Sequence, residues 1–183
     1  MINIDIHEAI TLYLLNKDVR YLSQTKWNKL MFLIDGAYVC LNDKQLTTFE
    51  YIKLPYGPVP DNYSKIINKM YYNDIINKNT EQNLFDSKII LEKNDHFSVN
   101  MDLANNVIDN YESLKYNVKT ILDSVVKLFH DWTASDLSDF SHELDAWKLP
   151  EMYTPIDLNT LKSDTFLNSE YGNPNLGKLV IEG

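Results

Sequence analysis

The chain has 183 residues, 44% of them hydrophobic and 12% aromatic, which is enough apolar mass for one ordinary domain and too much for global disorder. Twenty-six acidic residues against seventeen basic ones give a net charge of -9, which argues against binding nucleic acid through a basic face and suits solubility or a partner that is basic at the contact. One cysteine excludes a disulfide framework, and with no charged start before an apolar run and no stretch near the ~18 residues of a membrane span, the chain reads as a soluble cytoplasmic protein.

From Asp5 to Asn16, Ile6, Ala9, Ile10, Tyr13 and Leu14 recur at helical spacing, and Asp5 with Glu8 forms a capping pair. Lys17 to Leu22 reads as a linker, and Ser23 as the N-cap of a second helix. That helix holds WNKLMFLIDGAYVCL, Trp27 to Leu41, with Trp27, Leu30, Met31, Ile34, Ala37, Tyr38 and Leu41 on one stripe. Phe32, Leu33, Val39 and Cys40 lie off the stripe, so the helix is apolar nearly all round and must be covered on most sides. It is therefore expected at the centre of the fold, with Cys40 as a small buried hydrophobe. Asn42-Asp43-Lys44 ends it.

Thr47 to Leu54 alternates β-branched and aromatic residues and reads as a strand. In Tyr56-Gly57-Pro58-Val59-Pro60, Pro58 and Pro60 push Gly57 and Val59 towards extended geometry, which predicts a rigid turn with Pro60 opening the next helix. Tyr63, Ile66, Ile67, Met70 and Ile75 carry that helix to about Asn77. Asn79 to Asp86 reads as a loop, and Lys88 to Leu91 with His96 to Val99 as a hairpin around Lys93-Asn94-Asp95. One apolar period runs from Ala104 to His130, and the Asn-rich sequence near Asn117 divides it into two helices. Thr133 and Asp136 open a last helix that runs to about Glu143. After Pro150 the chain becomes Asn-, Ser- and Gly-rich, with a short helical segment at Leu158 to Leu161. The expected class is α+β and mostly α: a helical bundle around a central buried helix, with a small antiparallel hairpin. Residues 1–150 form the domain, and 151–183 an extension packed on it or partly flexible.

No constellation reads as catalytic. His142-Glu143 lacks the second histidine of a His-Glu-x-x-His metal site, because position 146 is Ala; His130 and Asp131 stand at no ligand spacing from it. His7 and His96 carry no motif. Cys40, inside an apolar helix, is badly placed for a thiol nucleophile. The five glycines form no phosphate-binding loop. The expectation is no enzyme, no cofactor and no metal. The Tyr56–Pro60 turn has two readings, a stiffened strand-to-helix junction and a preorganised contact surface. Trp147 likewise reads as a helix anchor or an interface hot spot.

Three pieces occur in order: Lys29-Leu30-Met31-Phe32-Leu33-Ile34-Asp35-Gly36, then Tyr56-Gly57-Pro58-Val59, then Ser141-His142-Glu143 with Trp147-Lys148. Together they resemble the Panacea domain, the phage-associated GepA-like family, over roughly residues 5–148. The resemblance implies an antitoxin of a two-gene toxin–antitoxin system that neutralises its toxin by direct protein contact. Some members are similar to adaptors that deliver a toxin to a protease, and others carry a helix-turn-helix module. The first helix here starts within a few residues of Met1, so no such module and no direct nucleic-acid contact are expected. The partner-binding candidates are Tyr56, Gly57, Pro58, Val59, His142, Glu143 and Trp147, and the partner is a cognate toxin, basic at the contact. The alternative is an acidic inhibitor or adaptor acting on a host defence protein or protease, with carboxylates imitating phosphate spacing. A small enzyme of unrecorded type is the third class.

Overall fold

A computed structural model describes residues 4–79, 96–99, 101–110, 114 and 117–168. It is mostly helical with two short antiparallel strand pairs, as the α+β reading expects. Helix α1 spans Ile6–Asn16, and the backbone N–H of Asp5 donates to Glu8 Oε2 at 2.8 Å, so the capping pair forms. Helix α2 spans Gln24–Asn42, and Ser23 Oγ accepts from the N–H of Lys26 at 3.3 Å. Residues 26–37 of α2 are buried without interruption, which only a helix covered on all sides allows. Its last turn emerges: Leu41, on the apolar stripe, is exposed, and Cys40, expected as a small buried hydrophobe, is only partly buried. Asp43, in the left-handed conformation at φ 56°, ends it.

Strand β1 (Tyr51–Leu54) pairs with β2 (Gly57–Pro60) from Tyr51 opposite Pro60 to Leu54 opposite Gly57. Two expectations change here. The strand read from Thr47 begins only at Tyr51, because the preceding segment folds around the Asp35 carboxylate. The Gly57–Pro60 segment is a strand and not a turn into a helix; the φ restraint of two prolines that suits a turn also suits an extended strand. Helix α3 starts later, at Tyr63, and runs to Tyr72, short of Asn77. Asp74 adopts φ 54°, and the N–H of Ile75 turns back to Met70 O at 2.9 Å, which closes the helix.

Strand β3 (Asn77–Asn79) pairs antiparallel with β4 (His96–Ser98), Asn77 opposite Ser98. The second strand of the expected hairpin is thus present, but its partner is β3. Lys88 to Leu91, and the expected loop beyond Asn79, lie outside the described residues. Helices α4 (Met101–Asn110) and α5 (Asn117–Phe129) are separate, as the Asn-rich break predicts, and both pack on α1. Helix α6 (Ala134–Glu143) has the predicted capping box, with Thr133 N–H on Asp136 Oδ2 at 2.8 Å and Asp136 N–H on Thr133 Oγ1 at 3.1 Å. Leu144 is extended, and the short helix α7 (Asp145–Lys148) follows.

Beyond Pro150 the chain returns to the sheet. Lys53 N–H donates to Thr154 O at 3.0 Å, Tyr153 N–H to Lys53 O at 2.9 Å, and Ile156 N–H to Tyr51 O at 2.7 Å. The free edge of β1 is covered in this way. A 3-10 helix, Leu158–Ser163, then lies on α2 and α7, with Ile156, Leu158, Leu161 and Leu167 buried. Among the described residues no helix is long and apolar enough to cross a membrane.

Candidate functional site

The three sequence pieces that carry the resemblance meet at Gly57. This residue has φ +100°, a conformation open to glycine and strained for any L side chain. A Cβ at position 57 would lie 2.6 Å from Lys29 Cε on α2 and 2.6 Å from Ser141 Oγ on α6. Helix α2, strand β2 and helix α6 therefore touch at a point with room for a hydrogen atom only. Lys29 is 1% exposed, and its amine donates to Pro58 O at 3.2 Å. Burial pushes this amine down to a pKa of about 8. Ser141 Oγ donates to Ser138 O at 2.8 Å, and Ser138 Oγ lies 3.1 Å from Tyr56 O and 2.9 Å from Ala134 O, sharing one proton between them.

The second half of the site is built on Trp147. Its indole Nε1–H donates to Leu54 O at 3.2 Å, which ties α7 to the β1–β2 hairpin. The His142 ring stacks on it, with centroids 4.0 Å apart and planes 27° apart. Lys53 Nζ stands 4.4 Å from the Trp147 ring centre and donates to Pro150 O at 2.9 Å and Lys148 O at 3.3 Å. One ammonium thus closes the end of α7 and holds the indole in place. Burial, reinforced by the Lys29 charge, keeps His142 below its usual pKa, so it is neutral at pH 7. Its Nε2 is buried and has no hydrogen-bond partner among the described residues.

Of the residues read as partner-binding, Tyr56 is 80% exposed, Glu143 is exposed, and His142 and Trp147 are partly buried. Gly57, Pro58 and Val59 are buried, so they shape the surface from beneath. Glu143 pairs with Lys148 at 2.9 Å, an exposed ion pair of small energetic weight. The structure adds Leu149, Met152 and Tyr153, which are 71%, 40% and 69% exposed. They lie within six residues after Trp147, and the N–H of Tyr153 on Lys53 O holds that end of the segment against β1. No single position among them carries a motif, and only the return of the extension to β1 reveals the cluster. Tyr56, Leu149, Met152 and Tyr153 are thus exposed aromatic and apolar groups on segments tied to the β1–β2 hairpin, a composition suited to contact with another protein.

Sequence reasoning also passed over three buried charges inside α2: Lys26, Lys29 and Asp35. The Asp35 carboxylate is fully buried and accepts from Thr47 N–H at 2.8 Å, Leu46 N–H at 3.1 Å, Tyr51 OH at 2.6 Å, Gln45 Nε2 at 3.2 Å and Thr47 Oγ1. Burial raises its pKa and these donors oppose the rise. A charge amid an otherwise apolar helix was the available signal for Lys29 and Asp35.

His7, read as isolated, sits beside Asp5 and Glu8, with one ligand-type atom of each within 4.8 Å of the others. Lys69 Nζ already stands there, 2.8 Å from Asp5 Oδ2 and 3.3 Å from Glu8 Oε1, and supplies the positive charge. Comparison with curated proteins and with solved structures finds no match. Residues 27–148 match the family described as antitoxin SocA-like, Panacea domain, a span that runs from the first residue of the apolar stretch of α2 to the end of α7, and the chain belongs to that family.

Proposed function

We propose that this chain is the antitoxin of a toxin–antitoxin system and neutralises its cognate toxin by direct protein contact. It acts without catalysis, cofactor or nucleic acid, in the cytoplasm, and its contact face is centred on Tyr56 and Trp147. The observation that carries this reading is the convergence of the three family pieces on the Gly57 junction, directly beneath one exposed aromatic face. Aromatic groups on a rigid base lose little entropy on binding, and such groups dominate interface energetics. The net charge of -9 suits a toxin that is basic at the contact.

The test is co-expression with the product of the neighbouring gene, followed by capture and growth rescue. Tyr56→Ala and Trp147→Ala are each expected to weaken capture by about 2 kcal/mol, roughly thirtyfold, the usual loss at an aromatic hot spot. Tyr56 is 80% exposed, so its truncation should leave the melting temperature unchanged. Full rescue by a folded Tyr56→Ala protein would move the contact away from this face. Capture of a host protease or defence protein, with no effect on a toxin, would favour the inhibitor or adaptor reading.

A further inference from the structure

Next to the aromatic face, and sharing Glu143 with it, lies an open groove of about 570 Å³ lined by Asp131, Trp132, Asp136, Asp139, Phe140 and Glu143. Asp136, Asp139, Phe140 and Glu143 stand at i, i+3, i+4 and i+7 on α6 and so form one stripe. The floor is aromatic: Trp132 and Phe140 meet edge to face at 5.7 Å, and Phe129 packs behind Trp132 at 5.0 Å. The rim is acidic. Arg20 engages Asp131 at 3.2 Å at one end, and Lys148 engages Glu143 at 2.9 Å at the other. Asp136 Oδ2 serves the helix cap, while the carboxylate of Asp139, exposed at mid-groove, makes no hydrogen bond or ion pair among the described residues. The buried Lys26 ammonium lies behind the Asp131 end and points at two carbonyls, Arg20 O at 2.6 Å and His130 O at 2.9 Å. Continuity with the face is direct, since Ser138, the residue before Asp139, lies 3.1 Å from Tyr56 O through its hydroxyl.

We propose that this groove seats arginine side chains of a basic segment of the protein partner, while that partner's apolar residues rest on the Tyr56–Trp147 face. The proposal rests on the partner-binding reading above and deepens it. A guanidinium is flat enough to lie on the Trp132 ring and offers a fork of donors that two carboxylates on adjacent turns accept together. An ammonium matches only the charge. A second copy of the chain is a poor occupant: copies of charge -9 repel, and the sequence contains one arginine, Arg20, already on Asp131.

The probes are acetylated hexa-arginine and hexalysine peptides, titrated calorimetrically onto the full chain. Asp139→Asn with Glu143→Gln removes two groove charges, and Glu50→Gln with Asp109→Asn removes two exposed charges elsewhere, so both pairs shift the net charge equally. Hexa-arginine should bind the wild type several-fold more tightly than hexalysine, lose about tenfold on the groove pair and less than twofold on the control pair. Trp132→Leu, checked for folding, should erase the arginine preference. Equal losses in both pairs would mean that only diffuse charge acts, and equal affinity for the two peptides would exclude a guanidinium seat; either overturns the proposal. Because neither titration uses a toxin, the two readings separate. A toxin captured equally by the wild type and the groove pair sinks the groove alone, whereas a wild type that captures no toxin sinks the antitoxin reading.

Discussion

Gly57→Ala tests the junction on which the face depends. Two costs arise. An alanine at 57 must hold φ +100°, and a residue in so sparsely populated a region costs about 1–3 kcal/mol. Its Cβ also arrives 2.6 Å from Lys29 Cε and Ser141 Oγ, against the ~3.5–4.0 Å of an ordinary contact. A free lysine end would swing away. This one is buried with its amine on Pro58 O at 3.2 Å, and the serine hydroxyl is engaged with Ser138 O at 2.8 Å. Overpacking of this kind adds about 1–3 kcal/mol. The expected loss is therefore about 2–6 kcal/mol, a large fraction of the ~5–15 kcal/mol that stabilises an ordinary domain. At ~2–4 °C per kcal/mol for a chain of this size, the melting temperature should fall by about 4–24 °C. Circular dichroism melts and urea titration measure it. Repeating Gly57→Ala in a Lys29→Ala, Ser141→Ala background removes both close atoms and should recover the overpacking part, leaving the backbone strain. A melting temperature within about 1 °C of the wild type would refute the reasoning about the junction, and full additivity in the second background would refute its steric half.

Two further outcomes follow from the buried charges of α2. Lys29 releases its proton near pH 8 in the folded chain but only near 10.5 in the unfolded one. Between those values the unfolded state binds more protons, so this group makes stability rise with pH from about 8 to 10 and holds it lower below 8, by at most about 3 kcal/mol because the Pro58 hydrogen bond favours the charged form. Lys26, also lowered to about 8 by burial, acts in the same direction, so Lys29→Met should flatten the rise without abolishing it; urea midpoints at pH 7, 8, 9 and 9.5 with unchanged slope would contradict this. Asp35→Ala strands the buried donors of Thr47 and Tyr51, at about 1–3 kcal/mol each, and should lower stability by about 3–5 kcal/mol. An unmoved urea midpoint there would show that the 45–51 loop does not depend on the carboxylate.

Local chemistry made several elements legible. The Asp5–Glu8 and Thr133–Asp136 pairs and the Ser23 cap mark helix starts because each satisfies donors that have no other partner within the same few residues. The apolar girth of α2 placed it at the centre for the same reason that residues 26–37 are buried. What failed depends on distant chain. Thr47 reads as strand, yet its N–H and hydroxyl go to Asp35, twelve residues earlier, and the strand waits until Tyr51. Asn77 reads as helix and is recruited into a strand by His96–Ser98, whose place is fixed in turn by Phe97 N–H on Leu22 O at 2.9 Å. The extension reads as a segment packed on the domain or partly flexible, and nothing local in its sequence shows that residues 153–156 complete the edge of β1.

The site shows the same division, and it bears on how such a face works. Gly57, Pro58, Val59, Lys29 and Asp35 carry much of the family resemblance, and all are buried. Their work is internal: a glycine that lets two helices and a strand touch, a lysine that ties α2 to β2, and a carboxylate that shapes the loop before β1. The groups that a partner would meet, Tyr56, Leu149, Met152 and Tyr153, stand on that base as exposed side chains. Exposed positions can change with little effect on stability, typically within ±0.5 kcal/mol, whereas the buried junction tolerates almost nothing. A fold arranged this way can keep its scaffold fixed while its contact surface is exchanged. That separation suits the antitoxin reading proposed above: Lys29, Asp35, Gly57, Pro58 and Val59 hold the scaffold, and Tyr56, from the same family pieces, stands exposed on it.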